Sequence, residues 1–320
     1  MASGKCHSGW CERKRNYGYG RRLGYAALSA LHDHYGSTDH YQTKHSHHAR
    51  FANFVRWIKE HYEIKDARLI AAAHILSYGE HLLESVQDGA YSVSYAQNLL
   101  STVNTVMRCL RHDRKLYVSP SKLVGRRTHT RQNTPHGERN EDVEQAAHAL
   151  EQAQNPRAAA VLLLARAFGM RVREASLANL DRLFHEARNQ GKCRILEGTK
   201  GGRRCDDRCI PVEQDQWNAL EYARAHSPKG SKNMLKQDET YLGFVCRVIN
   251  PGRPIIQLHG LITYREMRAA FAVAIYEENA KQLAPVKRKP LDLIAHLKAL
   301  DLVSRMLGHN RRHVSRAYVG

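Results

Sequence analysis

The stretch from Ser119 to Asn140 (SPSKLVGRRTHTRQNTPHGERN) constrains this chain more than any other feature. It holds two prolines, two glycines and five Lys or Arg, and almost no apolar side chain after Val124. A segment of this kind cannot contribute a continuous hydrophobic face, so it reads as a linker dividing the chain into two bodies. A chain of 320 residues is long enough for two separate cores. The basic character of the linker suggests that it lies against a polyanion, with Arg126, Arg127 and Arg131 as candidate contacts.

On the N-terminal side the apolar residues keep a helical period. Phe51, Phe54, Val55, Ile58 and Tyr62 recur at three- and four-residue spacing, as do Leu99, Leu100, Val103, Val106, Met107 and Leu110, with Ser92 and Ser94 available as N-caps before the second run. Residues 25–118 are therefore expected to form a small all-helical bundle. Residues 1–24 mix six Lys or Arg with Trp10, Tyr17 and Tyr19 without any period and read as a flexible basic arm. The histidine-dense run from Leu31 to His48 reads as a polar loop able to face phosphate. It lacks carboxylates and cysteines at ligand spacing, so no metal is expected there.

Residues 141–320 form the second expected domain. An amphipathic helix runs through Val143, Ala146, Ala147 and Leu150. Asn155-Pro156 then opens a buried-looking helix, AAAVLLLARAF, that stops at Gly169. Cys193 to Glu197 and Arg208 to Val212 flank a Gly-Gly and Arg-rich turn and predict a β-hairpin. Helices are expected again over about 214–225, 264–283 and, after a Pro-Val-Lys-Arg-Lys-Pro break, up to about Leu307. The fold class is thus mainly α: a helical N-terminal bundle plus a mixed, mostly helical domain with a small β-sheet.

The formal charge of +19, shared almost equally between residues 1–140 and 141–320, implies a polyanionic partner along the whole chain. Nucleic acid fits. A membrane surface is the rival, but no apolar run approaches the roughly 20 residues needed to span, and the first 30 residues lack a signal-peptide core. A cytoplasmic, nucleoid-associated protein is expected. Seven cysteines, odd in number and scattered, suggest reduced thiols, and Cys205 with Cys209 would be only half a metal site.

Five separated segments of the second domain make chemical sense together. Arg171 lies in GMRVREASLANL with Glu174 one turn on, and Lys200 lies in the hairpin turn TKGGRR beside Arg203 and Arg204. Arg265 and Arg268 share a helix face in YREMRAAFA. His309 lies in MLGHN, and Tyr318 nine residues beyond it. In order and spacing this set resembles the tyrosine recombinases, the integrases of phages and other mobile elements. That resemblance implies a helical core-binding, DNA-binding domain ahead of the catalytic domain. It assigns Arg171 and Arg268 as the two arginines, Lys200 as the hairpin lysine, His309 as the later histidine and Tyr318 as the nucleophile. One position departs from the pattern: Arg265 stands where a histidine is usual, and arginine cannot serve as a base.

The same residues suit the reaction on physical grounds. Moving a DNA phosphodiester onto tyrosine builds charge on the equatorial phosphate oxygens, which two guanidinium forks can meet. A lysine can protonate the departing 5′-oxygen, and His309 can hydrogen-bond the phosphate or assist that departure. The phosphotyrosyl bond conserves the energy for religation, so no cofactor is expected. The resemblance further implies double-stranded attachment sites, a Holliday junction, a homotetramer assembled on DNA and possible accessory DNA-bending or directionality proteins. Since only Val319 and Gly320 follow the tyrosine, coupling between protomers through a C-terminal helix is not expected. Three rivals share parts of this pattern: a type IB topoisomerase-like enzyme, a non-catalytic DNA-binding relative, and a metal-dependent nuclease using the histidine-rich run. DNA-binding expectations rest on Arg126, Arg127, Arg131, Arg203 and Arg204, and catalytic ones on Arg171, Lys200, Arg265, Arg268, His309 and Tyr318.

Overall fold

A computed structural model of the chain describes residues 9–199 and 208–320. The chain divides into two compact units, residues 1–128 and 129–320. Lys200, Arg203, Arg204 and Cys205 lie outside the described residues.

The first unit is helical. Helices α1 (Leu23–Tyr35), α2 (Tyr41–Tyr62) and α4 (Val93–Arg111) pack on one another, and α3 (Ala72–Gln87) packs on α4. The periodic residues form the core: Phe51, Phe54 and Ile58 of α2, together with Leu99, Leu100, Val103, Val106 and Leu110 of α4, are fully buried. Each such side chain contributes about 1.5–3 kcal/mol by leaving water. Ser92 caps α4, its Oγ accepting from Tyr95 N at 3.2 Å. A short helix, α5 (Pro120–Leu123), follows, and Val124 is buried in the same core.

Two expectations for this unit are corrected. From Gly9 onward the basic N-terminal segment is docked rather than free. Trp10 Nε1 donates to Leu110 O at 3.0 Å, and Tyr17 and Tyr19 are buried. Buried Asn16 donates its backbone N–H to Asp66 Oδ1 at 2.9 Å and accepts from Ala67 N at 2.7 Å. The aromatic residues, which have no periodicity in sequence, are the anchors. The histidine-rich run is likewise not a loop: it spans the end of α1 and the start of α2, leaving only residues 36–40 between helices. His47 is half-buried against Thr102 Oγ1 at 3.1 Å, and burial lowers its pKa.

The second unit is built around α7 (Pro156–Phe168), whose alanine- and leucine-rich sequence is apolar on every side and is accordingly enclosed. Helices α6 (Asn140–Gln152), α10 (Gln214–Ala225) and α13 (Tyr264–Ala280) pack around it. Short α8 (Val172–Leu177) and α9 (Leu180–Gln190) lead into a two-stranded antiparallel sheet, β1 (Lys192–Arg194) with β2 (Cys209–Pro211), in register Cys193↔Ile210. The strands are shorter than the expected hairpin arms. Residues 241–258 are helical as well, through α11 (Tyr241–Phe244), a π-helical turn (Val245–Ile249) and α12 (Asn250–Leu258). Helices α14 (Leu293–Met306) and α15 (Arg312–Val319) close the unit against α13.

The linker is shared between the units. Beyond the boundary it lies along the second unit, where Arg131 N donates to Arg316 O at 2.8 Å and Arg166 holds Gly137 O and Glu138 O at 2.9 and 3.1 Å. Among the described residues no helix is long and apolar enough to cross a membrane.

Candidate active site

Helix α7 ends at Gly169, and the chain re-enters helix at Val172 with Arg171 as N-cap residue. Glu174, one turn inside α8, reaches back to accept from Arg171 N at 2.8 Å and also binds the Arg171 guanidinium. A carboxylate at this position satisfies a helix N-terminus and is stabilised by its dipole. Glu174 is completely buried and meets two further arginines, Arg208 Nη1 at 3.0 Å and Arg268 Nη1 at 3.5 Å. Burial raises the Glu174 pKa, but Arg208, Arg268 and Arg171 outweigh it and hold the carboxyl below its usual range.

Arg268 sits on the inner face of α13 and is only 2% exposed. It donates to Gly169 O and, at 2.6 Å, to Leu307 O, and so joins the end of α7 to the end of α14. Burial and the neighbouring Arg208 lower its pKa to about 10, which leaves it protonated at neutral pH. Its Nε lies 3.4 Å from Tyr318 Oη and its Nη2 3.2 Å from His309 Nε2, with the guanidinium 5.5 Å from the centroid of the tyrosine ring. Tyr318, on α15, is also buried, and its Oη is 3.2 Å from His309 Nε2.

The proton arrangement at His309 follows from these contacts. Nε2 faces an arginine N–H, which only donates, so Nε2 must carry a lone pair and the ring must be neutral with its proton on Nδ1. Burial, then Arg268, Arg171 and Arg208, push its pKa down to about 3. A histidine lowered in this way favours the native state when neutral. The unfolded chain binds the proton first, so this stability is present above the ordinary histidine range and is lost as pH falls from there toward 3. An imidazole ¹⁵N titration of the native protein is expected to show His309 unprotonated at pH 5, whereas a midpoint near 6.5 would contradict this environment.

The structure therefore brings Arg171, Arg268, His309 and Tyr318 together. Arg265, one turn before Arg268, is exposed, and its side chain makes no hydrogen bond or ion pair among the described residues. Arg126 and Arg127 are exposed in the first unit. Arg131 does not present a free charge. Its guanidinium is held by both carboxylate oxygens of Glu266, and its Nε donates to Asn133 O at 2.6 Å. Two residues of the cluster escaped the sequence reading as site members, Glu174 and Arg208. A signal for Arg208 exists, since it stands two residues before buried Ile210 and thus in the inward phase of the strand.

Three arginines around one carboxylate leave a net positive cluster beside a tyrosine hydroxyl, an arrangement suited to a phosphodiester and an oxygen nucleophile. Among the described residues no group of three or more His, Cys, Asp or Glu could hold a metal ion. An integrase family model matches residues 125–274. The fold is similar to that of a lambda integrase dimer bound to a core site, with TM-score 0.59 and 13% identity over 92% of this chain and 95% of that one. It is similar also to the Tn1549 transposon integrase in complex with circular intermediate DNA, with TM-score 0.58 and 10% identity over 94% and 96% of the two chains. The segment matched by the integrase model and the fold of the described residues are thus similar to those of integrases. Among curated proteins, comparison by sequence alone finds no match. The integrase match together with this fold supports a site-specific recombinase, and the topoisomerase alternative is not favoured. The departure at Arg265 acquires a physical meaning here: of the two side chains that touch the tyrosine hydroxyl, Arg268 and His309, only His309 carries a lone pair.

Proposed function

We propose that the recombinase cleaves its DNA by attack of Tyr318 Oη on a phosphodiester, giving a 3′-phosphotyrosyl link and a free 5′-hydroxyl. The observation that carries this reading is the position of Tyr318 Oη, within hydrogen-bond reach of both Arg268 and His309. As the O–P bond forms, the phenolic proton passes to the neutral Nε2 of His309. The 5′-oxygen leaves with a proton from Lys200, and religation reverses both transfers. Arg171 and Arg268 hold the equatorial oxygens, whose charge grows in the transition state.

The ends of the hairpin support the role given to Lys200. Gly198, at φ +69°, packs so closely on α8 that a Cβ would lie 2.5 Å from Arg173 O, and Glu197 is held by Arg182 at 2.6 Å. At the other end Arg208 binds Glu174. The chain thus leaves for the segment containing Lys200, and returns from it, beside the cluster.

The first unit serves as the core-binding domain, with exposed Arg126 and Arg127 on the DNA backbone, and Arg265 contributes charge rather than proton transfer. Structures of similar fold include an integrase dimer on a core site and a lambda integrase tetramer bound to a Holliday junction. We assign the same partners here: duplex attachment sites on a mobile element and a tetramer assembled on them.

The test is covalent capture. A pool of nicked duplexes with a random central sequence, incubated with the protein in EDTA and then in detergent, is expected to yield DNA attached to the peptide containing Tyr318. Guanidinium groups rather than a metal meet the phosphate charge, so EDTA should not slow capture. Attachment to another residue, or capture that requires added Mg²⁺, would sink the assignment.

A further inference from the structure

Arg208 is the second buried arginine of the cluster, and the reaction as derived gives it no part. Its side chain is 1% exposed, and each of its guanidinium nitrogens already has an acceptor within the protein. Its Nη1 lies 3.0 Å from Glu174 Oε1, its Nε donates to Met306 O at 2.9 Å and its Nη2 to Gly169 O at 3.3 Å. Glu174 holds Arg171, Gly169 O also accepts from Arg268, and Met306 lies three residues before His309. Gly308 packs on the same side chain: at φ +65° it admits no ordinary substituent, and a Cβ would stand 2.9 Å from Arg208 Cδ. Arg208 is also the residue from which the chain enters β2 on its return from the segment that carries Lys200.

We infer that Arg208 is a positioning residue for the recombination reaction, a buried clamp that ties the hairpin directly to the segments bearing Arg171 and His309 and, through the shared acceptors Gly169 O and Glu174, to Arg268. Guanidinium geometry is required. The three acceptors belong to different segments, and a planar fork satisfies them together, whereas an ammonium on a flexible stem would reach one or two. Without the clamp, Leu307 O and His309 lose their fixed relation to Arg268, and the tyrosine hydroxyl loses its paired contacts. Misplacement of catalytic groups by about 1 Å costs on the order of a hundredfold in rate.

This inference rests on Tyr318 as the nucleophile, and its test separates the two. The Arg208→Met variant is compared with wild type for binding and single-turnover cleavage of a duplex selected by capture on the wild-type protein, and, without DNA, for the His309 imidazole ¹⁵N resonances. Binding is expected within about threefold of wild type and cleavage about a hundredfold slower at saturating DNA. The His309 resonances should move toward those of Tyr318→Phe, and Arg208→Lys should recover part of the cleavage rate. Should Arg208→Met not fold, the pair Arg208→Met with Glu174→Gln removes both charges and replaces it. The double variant is then expected to cleave no more slowly than Glu174→Gln alone.

Cleavage by the variants within about threefold of wild type would overturn the inference. So would unchanged His309 resonances, or rate losses that multiply in the double variant. If the wild-type protein captures no duplex at all, the nucleophile assignment fails, while the His309 resonances still decide whether Arg208 positions that ring.

Discussion

Tyr318→Phe is expected to abolish the covalent DNA intermediate while leaving DNA binding and the fold in place. The substitution removes one oxygen. The ring keeps its packing on α13 and α14, and Arg268 keeps its bonds to Gly169 O and Leu307 O. The structural cost is therefore about that of one or two hydrogen bonds, roughly 1–2 kcal/mol. The catalytic cost is far larger, because no other hydroxyl is bonded to both Arg268 and His309 among the described residues. Cleavage should fall by about 10⁴-fold or more, the order seen when a nucleophile is removed from a preorganised site. Denaturing gels of trapped nicked duplex, with gel shifts on the same DNA, measure both quantities. Detergent-resistant complex at wild-type levels on the variant would mean that the nucleophile lies elsewhere.

The second large effect is expected at Glu174. Its carboxylate pairs with Arg171, Arg208 and Arg268, and it is fully enclosed. Replacement by Ala leaves buried guanidinium charge without a counter-ion, which costs about 3–5 kcal/mol. That is a large share of the 5–15 kcal/mol typical of a whole domain.

The pH dependence carries a defined sign. A carboxyl held below its usual range contributes stability that is fully present above the ordinary Glu pKa and is lost as pH falls through the lower native value. The stability gap between wild type and Glu174→Ala should therefore be largest near pH 7 and shrink in acid. Denaturant titrations at pH 7 and at about pH 3.5 read this, the lower value lying below the ordinary Glu pKa. A gap that is equal at both, or below about 1 kcal/mol at pH 7, would show that the carboxylate is not what holds the three arginines.

Much of the architecture is legible without coordinates, because it depends on local periodicity. The i, i+3, i+4 spacing of Phe51 to Ile58 and of Leu99 to Leu110 specifies helices with one apolar face. Asn155-Pro156 and Gly169 punctuate α7 at both ends, although Asn155 uses its side chain to bind Val248 O at 2.8 Å rather than to cap the helix. Elements whose reason is non-local are less legible. The N-terminal segment has no period because it is not a regular element: Trp10, Tyr17 and Tyr19 act singly, each filling a place on a bundle formed by residues up to a hundred positions away. Arg131 reads as a free linker charge because charge on a linker usually faces solvent, and only the tertiary structure reveals its pairing with Glu266.

By itself the sequence determined the resemblance to integrases, the helical character of both units and the order Arg171, Arg268, His309, Tyr318, since motif spacing and periodicity are written along the chain. The tertiary structure alone decided how the tyrosine hydroxyl is held. It left Arg265 exposed and enclosed Arg268 one turn further along the same face of α13, a consequence of helix packing. It also put His309 Nε2 against Tyr318 Oη and enclosed Glu174 with Arg208. Hydrogen bonds among segments up to 99 residues apart set those distances, and no one-dimensional spacing encodes them.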